Sequence, residues 1–217
     1  MKPLIYSYTL LNTWDICPHQ CYRRYIARDL PPEVKTQQQL DGIEAHQAIE
    51  RRVRQGKVLP EHMKHLDPLV APLDPFDIEP EQKLGVTEEG ASVGFWDEGV
   101  GLRGALDAPV LTAPDTALLV DWKTGKRRED PFELEVGAVL LQAAKPMLRK
   151  IYGVYIWLRE GVKGTPHDLS DTARTWRKVH ERVNEIETAI EDNRFTKTPG
   201  PLCAWCSVMD CQHNRSK

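Results

Sequence analysis

The sequence predicts an α/β fold, a mixed sheet flanked by helices, on three observations. Five runs of β-branched, aromatic and leucine residues lie at 79–87, 92–96, 102–111, 117–123 and 151–158. A helical stretch, 132–152, interrupted by Pro146, separates the last two. Beyond them Ala173, Trp176, Val179, Val183, Ile186 and Ile190 recur at intervals of three and four, the apolar stripe of a helix over about 171–193.

The amino-terminal part reads as helical. Residues 7–28 give a short helix with Ser7, Thr9 or Asn12 as candidate caps, and Pro18 opens a turn or breaks it. Asp41 and Glu44 have the spacing of a capping box, predicting a helix over about 42–56 that stops at Gly56. Prolines 60, 68, 72, 75 and 80 predict an irregular connection with one short helix.

A chain of 217 residues, 41% hydrophobic and 28% charged, has the size and composition of one globular domain. Expected within it are a helical part (about 1–80), a core (about 81–195) and a tail (199–217) that packs with the Cys17 segment. The net charge of −3 excludes a globally basic nucleic-acid binder but not a locally basic groove. Apolar runs such as 151–158 are far shorter than a membrane span, and the first residues form no signal-peptide pattern. A soluble, cytoplasmic protein without membrane contact is expected.

The most informative segment runs from Arg103 to Lys123. Side chains two apart on a strand share a face, so Asp121 and Lys123 point one way and Trp122 the other. A three-residue turn centred on Pro114 pairs residues summing to 228, which sets Asp107 opposite Asp121 with Cβ atoms about 5 Å apart. A two-residue turn instead sets Asp107 opposite Trp122 and leaves Asp121 and Lys123 as an exposed ion pair. Facing carboxylates repel, and a divalent cation reconciles them; Mg²⁺ takes one or two carboxylates and keeps waters. With an ammonium alongside, this is the equipment of metal-assisted phosphodiester hydrolysis.

Five cysteines, Cys17, Cys21, Cys203, Cys206 and Cys211, sit at the two ends. An odd number so placed is a poor disulfide framework, and C-x2-C-x4-C in a reducing compartment indicates a metal or a cluster. Three thiolates need a fourth ligand. Zn²⁺ on Cys17, Cys203, Cys206 and Cys211, or on a set using Cys21 or His213, satisfies the pattern as an iron–sulfur cluster does. Elsewhere Lys126-Arg127-Arg128 follows the Asp121–Lys123 strand and suits phosphate neutralisation. Tyr22, Tyr25, Trp96 and Trp122 offer rings to unpaired bases, although aromatic residues so spaced equally fit a core.

Gly104-Ala105-Leu106-Asp107 and Asp121-Trp122-Lys123-Thr124-Gly125 resemble the G-x-x-D and D-x-K-T-G strands of the RecB-like exonuclease branch of the PD-(D/E)xK superfamily, which includes CRISPR-associated RecB-like nucleases. Gly42-Ile43-Glu44-Ala45-His46 is similar to its G-x-x-x-H helix, and Cys17-Pro18 with Arg23-Arg24-Tyr25 to its amino-terminal segment. The resemblance implies a restriction-endonuclease-like core and a metal-dependent DNA exonuclease of repair or recombination, in a bacterial, archaeal or phage-infected cell. It implies that Asp107, Asp121, His46 and the Trp122 carbonyl hold Mg²⁺ or Mn²⁺, that Lys123 assists catalysis, and that Arg24 and Tyr25 meet substrate. It also implies a [4Fe–4S] cluster on Cys17, Cys203, Cys206 and Cys211 joining the two ends of the chain. The family's Q-x-x-x-Y helix is incomplete: Gln142 is present for DNA or lysine contact, but Pro146 stands at the tyrosine position. A catalytically silent nucleic-acid-binding module and an endonuclease are the alternatives.

Overall fold

The computed structural model describes residues 3–76, 78–128 and 130–215. The chain gathers into two compact units, Lys35–Thr175 and a terminal unit joining Met1–Val34 to Trp176–Lys217. No described helix is long and apolar enough to cross a membrane.

In the terminal unit, α1 (Tyr8–Ile16) is capped by Ser7, whose Oγ accepts the Leu10 N–H at 3.3 Å. Cys17 is extended, and Pro18 then opens α2 (Pro18–Cys21), where its missing N–H costs nothing. A π-helical turn, Tyr22–Ile26, follows.

The central unit starts with α3 (Gln37–Gln55), five residues ahead of the expected boundary. The box that opens it is Thr36 with Gln39, not Asp41 with Glu44: Thr36 Oγ1 accepts the Gln39 N–H, and Gln39 Oε1 accepts the Thr36 N–H at 2.7 Å. Thr36-x-x-Gln39 satisfies the same rule, and the earlier cap wins because nothing in 37–41 breaks a helix. The helix ends at Gly56, with φ 63°, as read. Short turns, Glu61–Leu66, α4 (Asp67–Val70) and Ala71–Leu73, bury Met63, Leu66, Val70 and Leu73.

Two sheets follow. The first is antiparallel, β1 (Gln82–Val86) between β2 (Ser92–Val93) and β3 (Leu102–Leu106). The second is mixed. β4 (Ala108–Ala113) runs antiparallel to β5 (Thr116–Lys123); after α5 (Pro131–Ala144), β6 (Lys150–Trp157) pairs parallel to β5, with β7 (Val162–Lys163) and β8 (His167–Asp168) antiparallel to β6. A parallel pair requires a crossover, and α5 supplies it. Pro146 falls after the end of α5, so the helix is shorter than expected and Tyr152 belongs to β6.

The strand expected over 102–111 is two strands, parted at Asp107, where the chain leaves one sheet for the other. Pairs between β4 and β5 sum to 228 from Ala108–Val120 to Leu111–Ala117. The route to that register differs from the one expected. The turn itself is closed by an Ala113–Thr116 pair, and a bulge between Leu111 and Ala113 restores the offset.

Period-two alternation sorts β5 between two apolar layers. Val120 and Trp122 pack with α3 and the 59–73 segment, while Ala117 and Leu119 pack with Leu134, Ala138 and Leu141 of α5. Next comes α6 (Thr172–Glu191), whose stripe buries Val179 and Ile186, and a 3-10 turn, Pro201–Trp205, follows it.

Candidate active site

Two glycines set the approach of the helices. A Cβ at Gly42 would lie 2.9 Å from Thr124 Oγ1, so glycine lets α3 pass close against the end of β5. One turn later, His46 Nε2 reaches the Trp122 carbonyl oxygen at 2.8 Å. At Gly104 a Cβ would meet Leu140 Cδ1 at 3.0 Å, so glycine there lets β3 lie on α5.

Asp107, at the pivot between the sheets, is held at both its side chain and its backbone. Its Oδ2 accepts the Trp122 N–H at 2.8 Å, and its own carbonyl accepts the Glu81 N–H at 2.9 Å. Glu81 has φ 56°, a left-handed backbone uncommon outside glycine. Its Oε1 lies 3.5 Å from His46 Nδ1, and Asp107 Oδ1 lies 3.6 Å from the same nitrogen. Ligand atoms of His46, Glu81 and Asp107 fall within 4.8 Å of one another, a donor set of one imidazole and two carboxylates.

Beside this trio, Lys123 Nζ lies 2.9 Å from Asp121 Oδ1, 2.8 Å from Glu133 Oε2 on the first turn of α5, and 5.4 Å from the Tyr155 ring centre. Asp130 caps that helix, accepting the Phe132 N–H at 3.1 Å, and Pro131 opens it, which fixes where Glu133 points. The Lys123 ammonium is thus the partner of the buried Asp121 Oδ1.

The electrostatics follow from this crowding. Burial, then the charge of Asp107, pushes Asp121 up to about 8, against the pull of Lys123. Burial also raises Asp107, opposed by His46 and the Trp122 N–H. For His46 burial disfavours the charge, but Glu81 and Asp107 outweigh it and hold the imidazole at about 9. Burial disfavours the Lys123 ammonium too; Asp121 and Glu133 outweigh it and keep Lys123 protonated well above its usual range. Two cations thus face four carboxylates. A donor set of this hardness, one imidazole and clustered carboxylates, fits a divalent ion.

The structure brings together His46, Asp107, Asp121, the Trp122 carbonyl and Lys123, and adds Glu81 and Glu133, which the sequence reading missed. Glu81 is placed by β1 pairing with β3 in a register summing to 188, across a long connection that local pattern cannot span. Glu133 had one visible signal, an acidic residue three beyond an Asp-Pro helix start.

Lys126, Arg127 and Arg128 are exposed on the loop leaving β5. Gln142 lies elsewhere. Its amide donates to the Leu148 carbonyl at 3.2 Å and its oxygen accepts from Thr172 Oγ1, nine residues or about 13.5 Å along α5 from Glu133. It serves the packing of the far end of α5 and does not make the lysine contact, one of the two roles expected of it. Trp122 is core, 3% exposed.

In the terminal unit Arg24 pairs with Glu33 and its guanidinium lies 5.8 Å from the Tyr25 ring centre. Tyr22 stacks on Phe195, with centroids 4.1 Å apart. Cys17, Cys203, Cys206 and Cys211 line one cavity of about 180 Å³, together with His19 and His213. Burial raises Cys206, and the neighbouring Cys17, Cys203 and Cys211 add to it. Among the described residues no three sulfurs come within 4.8 Å of one another. Cys21, one turn after Cys17, is fully buried and donates to the Leu10 carbonyl at 3.8 Å; burial, with the neighbouring Cys17, pushes it up to about 12.

The model of one protein family, described as the PD-(D/E)XK nuclease superfamily, matches residues 71–211. No curated protein matches the chain. Among solved structures, that of SSO0001 is similar at 14% identity and a TM-score of 0.47, covering 99% of this chain and 88% of that one.

Proposed function

The chain belongs to the PD-(D/E)XK nuclease superfamily, and on that premise we propose that it is a DNA exonuclease acting on single strands or duplex ends. The observation that carries this reading is Lys123, locked between Asp121 and Glu133 beside the His46–Glu81–Asp107 donor set. His46, Asp107, Asp121 and the Trp122 carbonyl hold Mg²⁺ or Mn²⁺, with Glu81 as a further ligand. A divalent ion there supplies Lewis-acid polarisation of the scissile phosphate and neutralises the charge that builds in the transition state. Lys123 orients the attacking water and holds its ammonium towards the developing negative charge. Asp121 and Glu133 fix that ammonium, so no reorganisation is needed when charge develops. Lys126, Arg127 and Arg128 hold the strand by its phosphates.

Incubation of end-labelled single-stranded and duplex DNA with the chain tests this. Short products are expected with Mn²⁺ or Mg²⁺ and none in EDTA, with Mn²⁺ at least as effective because imidazole suits softer ions. Nicking of covalently closed circles would make it an endonuclease. A silent binding module draws support from Pro146 and from the engagement of Gln142 away from the site; DNA binding that survives EDTA, with no cleavage in either ion, would establish it.

The four thiols of the terminal cavity hold a [4Fe–4S] cluster in this reading, a structural tie between segments distant in sequence. The supporting observation is that these four thiols line one cavity, which Cys21 does not; zinc is the alternative occupant. Anaerobically purified protein is expected to be brown, with absorption near about 400 nm that is lost in Cys206→Ala; a colourless, zinc-loaded protein would reverse the assignment.

A further inference from the structure

One exposed feature of the central unit lies outside this chemistry. Trp96, in the turn between β2 and β3, is 74% exposed. A single exposed ring is ordinary; its company is not. The Arg103 guanidinium carbon sits 4.6 Å from the Phe95 ring centre and 4.8 Å from that of Trp96, and Arg103 also donates to the Phe95 carbonyl at 3.1 Å. Phe95 and Trp96 meet edge to face, with centroids 4.7 Å apart. The indole is thus pre-oriented by a cation and a second ring, yet leaves most of its surface in water.

Its place in the fold gives this a direction. Along β3 the even-numbered side chains face α5: Leu106 packs with the α5 layer and Gly104 lies against Leu140. The odd-numbered face carries Arg103, Ala105 and, at its end, Asp107 of the metal-binding trio. Ala105 is exposed, and Lys83 opposite it on β1 carries its ammonium to 5.9 Å from the Phe95 ring centre, so an exposed strip lined by a cation joins Arg103 to Asp107. Four residues of strand span about 13 Å.

We infer that Trp96, backed by Arg103 and Phe95, is a base-stacking platform for a single strand whose scissile phosphate lies at Asp107. The inference rests on the nuclease reading and deepens it, assigning preference for unpaired over paired ends to one side chain. Every base offers a π face, so the platform is tolerant of sequence. A duplex keeps its bases stacked on one another and cannot use it. Asp97 and Glu98 share the turn, Asp97 accepting the Gly94 N–H at 2.7 Å. Arg103 and Lys83 stand on the same rings and offset these carboxylates; the indole itself is uncharged, so the Trp96 contribution, a stacking one, depends weakly on salt.

The test is equilibrium binding of a fluorescein-labelled oligothymidine in EDTA, where no cleavage occurs, to the full chain and to Trp96→Ala and Trp96→Phe. Trp96→Ala is expected to bind about tenfold more weakly and Trp96→Phe within about threefold of the parent, while duplex binding is unchanged. A single abasic site walked along the strand should weaken binding to the parent at one position and have no effect there on Trp96→Ala. Should Trp96→Ala fold poorly, the same walk on Trp96→Leu, which keeps apolar bulk but offers no ring face, keeps the test decisive. Equal affinities of parent and Trp96→Ala, or an abasic cost identical in both, would overturn the platform. An oligouridine arm shows whether the sugar matters: the same loss in Trp96→Ala assigns the platform to unpaired bases of either kind, and indifference to Trp96 assigns it to DNA. A parent that cleaves nothing but still shows the Trp96 loss would sink the nuclease reading and leave the platform standing.

Discussion

Asp121→Asn and Lys123→Ala each slow DNA cleavage by about a thousandfold or more, with little change in KM. Asp121→Asn keeps the shape of the side chain and removes its charge. Lys123 is then held by Glu133 alone, and a carboxylate proposed to hold the ion is lost. Lys123→Ala removes the ammonium that faces both Asp121 and Glu133. Its loss falls on kcat because the ammonium is aimed at charge that exists only in the transition state. Arginine at 123 should not rescue, since a planar fork cannot occupy the position of a point charge between two carboxylates and a ring. Glu133→Gln separates positioning from chemistry: it leaves the Asp121 contact and should cost about tenfold. Cleavage at the parental rate by either Asp121→Asn or Lys123→Ala, measured as single-turnover product release, removes the mechanism.

The metal-free chain loses thermal stability as pH rises from about 5 to 9, and a divalent ion cancels the loss. Asp121 is held at about 8 in the folded chain against 3.8 as its ordinary value, and His46 at about 9 against 6.5. In both cases the folded state binds the proton more tightly, so the stabilisation is complete below the ordinary value and disappears through the raised one. Asp107, raised by burial, acts in the same direction. His19, lowered chiefly by burial, opposes them around its ordinary value, which makes the slope cleanest between pH 7 and 8. The exposed carboxylates Asp74, Asp168 and Asp210, all lowered by hydrogen bonds, titrate in acid and leave this window untouched. A fall in Tm of about 3 °C per pH unit is expected in EDTA, and Asp121→Asn should flatten it. Mn²⁺ displaces these protons, so its stabilising shift is larger at pH 8 than at pH 5. A Tm that is level or rising over that range in EDTA would contradict the crowded-carboxylate account.

Legibility in the sequence followed the range of the force that decided each feature. The facing of Asp121 and Lys123 comes from the period of a strand, and the register of β4 on β5, from Ala108–Val120 to Leu111–Ala117, from a short hairpin, so both were readable from neighbouring residues. Even there the turn was misassigned, and a bulge restored the register. Arithmetic on a loop cannot tell a three-residue turn from a two-residue turn plus one extra strand residue.

The sequence by itself determined the strand and helix pattern, the hairpin that carries the carboxylates, the lysine two residues beyond Asp121, and the thiol spacing at the ends. Only the tertiary structure decided that Glu81 joins His46 and Asp107, that Glu133 rather than Gln142 meets Lys123, that Cys21 lies outside the cavity lined by the other four thiols, and that Trp96 stands in water while Trp122 is core. The physical reason is that periodicity and hairpin register are properties of adjacent residues. Which helix end docks on which strand is set instead by close packing between segments far apart in the chain, such as Gly42 against Thr124 and Gly104 against Leu140.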